Sequence, residues 1–244
     1  MRGPNLFTIA LIILTAGVTS CKKEEGFGGN GKISGKLYYR LYDSDFKVKQ
    51  GEVPAMDQDI FILFGDETFT ENDVKSSPDG SFEFNFLRPG DYTIYSYGDD
   101  STKKIPLGKA VYSKKIAISK GENKNIGNFY INKSLSYNEG TSTIKGVLMV
   151  KNYQNGFSIL KDITPGQSED VFLVYNNHNY FDERFRTFYD GTFVFKNLIK
   201  GTYKIYAYSD AYSGSSAEVP IITEVSITNE NQIIDIGTIF VDKK

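Results

Sequence analysis

The feature that most constrains this chain is an internal repeat. Sliding the sequence against itself by 111 residues, the separation of Asp79 from Asp190, aligns 33–97 with 144–208 without a gap, and 18 of those 65 pairs are identical. The densest stretch sets 79–99 against 190–210, with 11 identities in 21 positions. Asp79-Gly80-Ser81-Phe82-Glu83-Phe84 is answered by Asp190-Gly191-Thr192-Phe193-Val194-Phe195, and Leu87 by Leu198. The run from Gly90 to Tyr97 is answered by Gly201 to Tyr208. A duplicated segment of this size can bury its own core. The chain therefore reads as two domains, 32–133 and 142–244, with a linker over 134–141.

The hydrophobic period inside each copy is two, which is the period of a strand. Phe82 and Phe84 share one face against Ser81 and Glu83, and Phe193 and Phe195 repeat this. Tyr92, Ile94 and Ser96 share a face, as do Tyr203, Ile205 and Ala207. Asp79-Gly80 and Asp190-Gly191 stand where a turn must precede a strand. The continuous apolar runs Ile60–Phe64 and Val171–Tyr175 read as strands buried more completely than the alternating ones. No segment after residue 21 shows a 3.6-residue period. Short strands at close spacing predict an all-β chain of two tandem antiparallel β-sandwiches, Ig-like in architecture.

The repeated motif also carries a family resemblance. An opening Ile-x-Gly-x-Leu (Ile33, Gly35, Leu37; Ile144, Gly146, Leu148) is followed by D-G-x-F-x-F and then L-x-x-G-x-Y-x-I. This resembles the carboxypeptidase regulatory-like, prealbumin-like (transthyretin-like) sandwich, and is similar to the collagen-adhesin B-type repeats. The segments around Val53-Pro54-Ala55 and Thr164-Pro165-Gly166 match that pattern only in part. Such modules serve as stalks, adhesins, spacers and accessory domains, so the resemblance implies a fold and no particular activity.

The N-terminus reads as an address. After Met1-Arg2, the stretch Leu6–Ala16 is apolar apart from Thr8 and Thr15, too short to span a bilayer and suited to an export signal. Val18-Thr19-Ser20-Cys21 resembles a bacterial lipobox, which implies removal of 1–20 and lipidation of Cys21, with palmitate among the attached acyl groups. Two or more acyl chains anchor stably. Lys22-Lys23-Glu24-Glu25 resembles the surface-export signal of Bacteroidetes lipoproteins, and 21–31 reads as a lipidated, flexible, glycine-rich tether. Gly26, Gly28 and Gly31 formally match G-x-G-x-x-G, but the strand and helix that a dinucleotide site needs around it are missing. The expected location is the outer membrane, lipid-anchored, with the periplasmic and the surface-facing leaflet both open.

Composition removes most chemistries. Lys and Arg number 28 against 30 Asp and Glu, without the basic excess of a nucleic-acid binder. One Cys excludes an internal disulfide, and one His, His178, excludes a multi-histidine metal site within one chain. His178 sits in a polar Asn176–Asn179 loop, and no G-x-S-x-G, P-loop, H-E-x-x-H or EF-hand spacing occurs. Two small sandwiches are expected to leave no cleft, so no enzyme, cofactor or metal is expected. Asp99, Asp100, Asp210, Asp43 and Asp45 read as turn residues rather than calcium ligands. The resemblance raises an intramolecular Lys–Asn cross-link using Lys36, Glu83 and Asn128. Alternation places Lys36 and Glu83 toward solvent, where a surface ion pair is expected instead.

The candidate binding residues are tyrosines. With Tyr92 and Ile94 inward, Tyr95 and Tyr97 point outward, as do Tyr206 and Tyr208. Exposed tyrosine pairs stack on sugars or anchor a protein partner. The expected role is a non-catalytic, lipid-anchored envelope module that binds or spaces, its partners the membrane and a protein or glycan. The alternatives are a glycan-capturing accessory of a polysaccharide uptake system and a purely structural stalk or assembly subunit.

Overall fold

The computed structural model describes residues 25–70, 72–104, 108–154, 156–212 and 217–244. The signal segment and Cys21 lie outside the described residues. The first half contributes β1 (Phe27–Asp43), β2 (Lys49–Pro54), β3 (Asp59–Phe64), β4 (Asp73–Lys75), β5 (Ser81–Leu87), β6 (Gly90–Asp99), β7 (Lys109–Ile118) and β8 (Asn123–Leu135). The second half contributes β9 (Ser142–Gln154), β10 (Ile159–Pro165), β11 (Asp170–Tyr175), β12 (Glu183–Arg186), β13 (Thr192–Leu198), β14 (Gly201–Asp210), β15 (Glu218–Ile227) and β16 (Ile233–Lys243).

Each half forms two four-stranded sheets. One is built on the opening strand, with β1 flanked by β2 and β5 on one edge and β8 on the other, and β9 flanked in the same way by β10, β13 and β16. The facing sheets run β4-β3-β6-β7 and β12-β11-β14-β15. The sandwich architecture matches the sequence expectation, with one difference. β8 runs parallel to β1, and β16 parallel to β9. A strand that returns only after a whole copy has chain enough to cross over, which a tight hairpin does not.

Alternation decides what is buried. Ile33, Leu37, Ile60, Ile62, Leu87 and Ile94 are fully inaccessible in the first core, and Ile144, Val171, Leu173, Phe195, Tyr203 and Ile205 in the second. Each buried large side chain contributes roughly 1.5–3 kcal/mol. The buried tyrosines keep a partner for their hydroxyl. Tyr92 Oη donates to the Arg88 carbonyl and Tyr203 Oη to the Ile199 carbonyl, each at 2.7 Å, the same corner in both copies. Burial pushes both hydroxyls above the ordinary tyrosine range.

The glycine-rich segment departs from its reading as a tether. β1 begins at Phe27 and pairs Phe27 and Gly31 with Leu87 across a bulge. A Cβ on Gly29 would stand 2.1 Å from the Leu87 carbonyl oxygen, and one on Gly140 would stand 2.1 Å from that of Leu198. The glycines are there for close backbone approach, and without side chains they show no alternation to read. The 134–141 linker is held in place: Gly140 N donates to the Asn197 carbonyl and Ile199 N to that of Tyr137.

The loop carboxylates are held by donors from the protein itself. Asp100 accepts from Thr102 N, Thr102 Oγ1 and Lys104 N. Asp99 bonds Lys109 Nζ at 2.6 Å and Ser134 N at 2.7 Å. Burial alone would raise the Asp99 carboxyl, but these partners outweigh it and hold it below the usual range. Its contribution to stability is therefore full above the unfolded carboxylate value of about 4 and vanishes as pH falls through the lower folded value. Urea midpoints compared at pH 7 and pH 3 should fall less in Asp99→Asn than in wild type.

Lys36 and Glu83 are exposed and ion-paired, but not to each other. Lys36 Nζ meets Asp79 at 2.8 Å and Glu83 meets Lys32 at 3.2 Å. Lys36 faces Asn128 in the β1–β8 register.

Candidate functional site

The outward tyrosines sit on the sheet formed by β3, β6 and their neighbours, and on its repeat. Each pair is completed by a phenylalanine from the adjacent strand. Phe61 stacks on Tyr95 at 5.0 Å and meets Tyr97 edge-on at 5.8 Å. Phe172 stacks on Tyr206 at 5.0 Å and meets Tyr208 at 5.7 Å. Sequence reasoning missed both phenylalanines because their continuous apolar runs read as more completely buried strands. In fact Ile60 and Ile62 point inward while Phe61 is half-buried, and Phe172 likewise alternates with Val171 and Leu173. Within the pairs, Tyr95 and Tyr206 are half-buried, whereas Tyr97 and Tyr208 are 44% and 36% exposed. Burial pushes the Tyr95 and Tyr206 hydroxyls up, so these two stay protonated at neutral pH.

The two faces differ in what surrounds them. In the second copy the loop after β11 folds over the shelf and brings Phe181 to 5.1 Å from Phe172. That loop is tied down by Asp182, whose side chain is almost buried. Asp182 Oδ1 bonds His178 Nδ1 at 2.8 Å, and Oδ2 accepts Tyr175 N at 2.7 Å. Asp182 N donates to Leu173, and its carbonyl accepts from Tyr137 Oη. His178, read as an idle loop residue, is therefore fixed, and its ring stacks beside Tyr180. The result is an open cavity of about 220 Å³ floored by Tyr206 and Tyr208 and rimmed by His178, Tyr180 and Ile222.

The two copies are also docked against each other. Asp43, fully inaccessible at the end of β1, accepts Lys47 N and Val48 N on Oδ1. Its Oδ2 accepts Asn176 Nδ2 at 3.2 Å and lies 3.3 Å from Tyr175 Oη in the second copy. The Gln50 amide clamps the Lys200 backbone, accepting its N–H at 2.7 Å and donating to its carbonyl at 2.9 Å. Burial and then the Asp43 charge drive the Tyr175 hydroxyl well above its ordinary value. These are positions where the repeat diverges. The partner copy has Gln154, Lys161, Phe64, Gly65 and Pro89 at the positions of Asp43, Gln50, Tyr175, Asn176 and Lys200. Beside this junction lies a cavity of about 340 Å³, lined by Asp45 and Lys47 from one side and Asn177, His178 and Lys204 from the other. Two small sandwiches alone offer no such cleft; docking creates it.

Among the described residues no cluster of His, Cys, Asp or Glu is arranged to hold a metal. No protein-family model and no curated protein matches the chain. Among solved structures the chain is similar to a minor pilin of Streptococcus agalactiae (11% identity, TM-score 0.34, covering 88% of this chain and 96% of that one). It is also similar to a candidate carbohydrate-binding protein of Pseudomonas aeruginosa (14%, 0.28, 44% and 90%) and a fimbrial protein of Bacteroides ovatus (10%, 0.24, 88% and 50%). The all-β sandwich assignment stands on the strand topology itself.

Proposed function

We propose that this chain is a non-catalytic envelope module, anchored by lipid at Cys21 in the outer membrane and facing the cell surface, that binds through its tyrosine faces. The observation carrying this reading is the aromatic shelf, repeated with matching geometry in both copies and with one tyrosine exposed in each. Cross-strand packing alone needs no exposed ring, yet Tyr97 and Tyr208 keep more than a third of their surface in water. Tyrosine contributes binding area at low entropic cost.

The test replaces Tyr95, Tyr97, Tyr206 and Tyr208 by alanine together. Retention on glycan arrays and capture of envelope proteins should fall about tenfold or more while the circular dichroism spectrum is unchanged. Unchanged retention would reject binding. For the anchor, Cys21→Ala should abolish palmitate incorporation and release the protein from membranes, and protease treatment of whole cells should degrade the wild type.

A spacer reading has its own support in the junction built by Asp43 and Gln50, which holds one copy against the other. A stalk needs such a joint and does not need the tyrosines.

A further inference from the structure

We propose that the second copy carries a groove for an uncharged oligosaccharide that the first copy lacks. It runs from the Tyr206–Tyr208 shelf, past His178 and Lys204, into the crevice between the copies. This rests on the binding reading above and narrows it to one face and one ligand class.

Continuity comes first. The shelf cavity and the junction crevice, about 220 and 340 Å³, share His178 and Lys204 in their walls, so the two adjoin. The groove's floor changes character along its length. At one end lie ring faces, which suit the C–H faces of a pyranose. At the other lies the exposed side-chain amide of Asn177, which both donates and accepts and so matches neighbouring hydroxyls.

Asymmetry comes second. Both copies have the Phe-Tyr-Tyr shelf, but the adjoining loop reads Asn176-Asn177-His178-Asn179-Tyr180-Phe181 in one and Gly65-Asp66-Glu67-Thr68-Phe69-Thr70 in the other. Asn177 and His178 stand where the first copy has the carboxylates Asp66 and Glu67, and Phe181 stands where it has Thr70. The anchoring of this loop by Asp182 means that little ordering remains to be done on binding. The bond to Asp182 engages His178 through Nδ1, so a ligand hydroxyl would meet the ring at Nε2.

Charge selects the ligand. The crevice lining sets Lys47 and Lys204 against Asp45 and Glu224, paired at 3.4 and 3.8 Å, and Asp45 also meets Lys103 at 2.9 Å, so each lining cation has a carboxylate beside it. A polyanion would find no net positive field there. A purely apolar ligand would strand the Asn177 amide.

The test titrates the mature full-length chain with hexasaccharides of glucose, mannose, xylose and galactose, and with a galacturonate hexamer, followed by calorimetry and amide NMR. At least one uncharged hexamer should bind and shift the amides of 177–181. Tyr208→Ala and Asn177→Asp should each weaken it about tenfold. Tyr97→Ala, the matching change on the first copy, should leave affinity within about twofold. Equal loss from Tyr97→Ala, tighter binding of the galacturonate hexamer, or no binding by any hexamer would each overturn the proposal. If no hexamer binds but the fourfold tyrosine variant still loses a protein partner, this inference fails and the broader binding reading survives. If both are negative, both fail.

Discussion

Asp43→Ala should uncouple the two copies and cost about 3 kcal/mol of stability. Three donors, Lys47 N, Val48 N and Asn176 Nδ2, converge on this inaccessible carboxylate, and each buried donor left unpaired costs roughly 1–3 kcal/mol. Some recover water as the junction opens, which keeps the total near the lower end of their sum. The Tyr175 hydroxyl is less affected, because it also reaches the Lys200 carbonyl at 3.0 Å. Asp43→Asn should be milder, since its Oδ1 still accepts the Lys47 and Val48 amides. Small-angle scattering should show a larger radius of gyration for Asp43→Ala, and urea unfolding should separate into two transitions. A scattering curve that superposes on the wild type, with stability within about 0.5 kcal/mol, would show that the junction does not depend on this residue.

Gly191→Ala should be at least as damaging, at roughly 3 kcal/mol or more, for a different reason. Gly191 has φ +79°, and a Cβ there would stand 2.3 Å from the Leu148 carbonyl oxygen. That oxygen cannot move aside, because it accepts Gly166 N at 2.9 Å while Leu148 N donates to the Gly191 carbonyl at 2.8 Å. Gly237→Ala separates the two effects. Its φ is +74°, but nothing lies within 4 Å of the added Cβ, so it should cost only about 1 kcal/mol. Denaturant midpoints of the two variants should differ clearly, and equal losses would refute the steric argument. The first copy repeats the geometry at Gly80, which faces the Leu37 carbonyl oxygen at 2.3 Å.

These two residues differ in how readable they were. Gly191 could be found from the chain alone, because a D-G pair ahead of an alternating run already demands a turn with positive φ. Asp43 could not. It looks like any loop aspartate, and its importance lies in Asn176 and Tyr175, more than a hundred positions away. One clue was present, since the interface residues are unlike their repeat mates, but divergence also marks ordinary surface positions. The same distinction separates the four tyrosines, whose outward direction follows from Tyr92 and Ile94, from Phe61 and Phe172, whose apolar neighbours hid their alternation.

From residue order alone came the duplication, the all-β class, the inward and outward faces of β6 and β14 and the turn glycines. Each depends on the pleat or on local backbone sterics, which a few neighbouring residues set. The tertiary structure decided that β8 and β16 run parallel to their partners and that Gly28, Gly29 and Gly31 lie within a strand. It also decided that Lys36 meets Asp79, and that a loop of amides and rings borders a crevice between the copies. Those outcomes depend on which distant segments become neighbours, and that is set by how whole sheets pack.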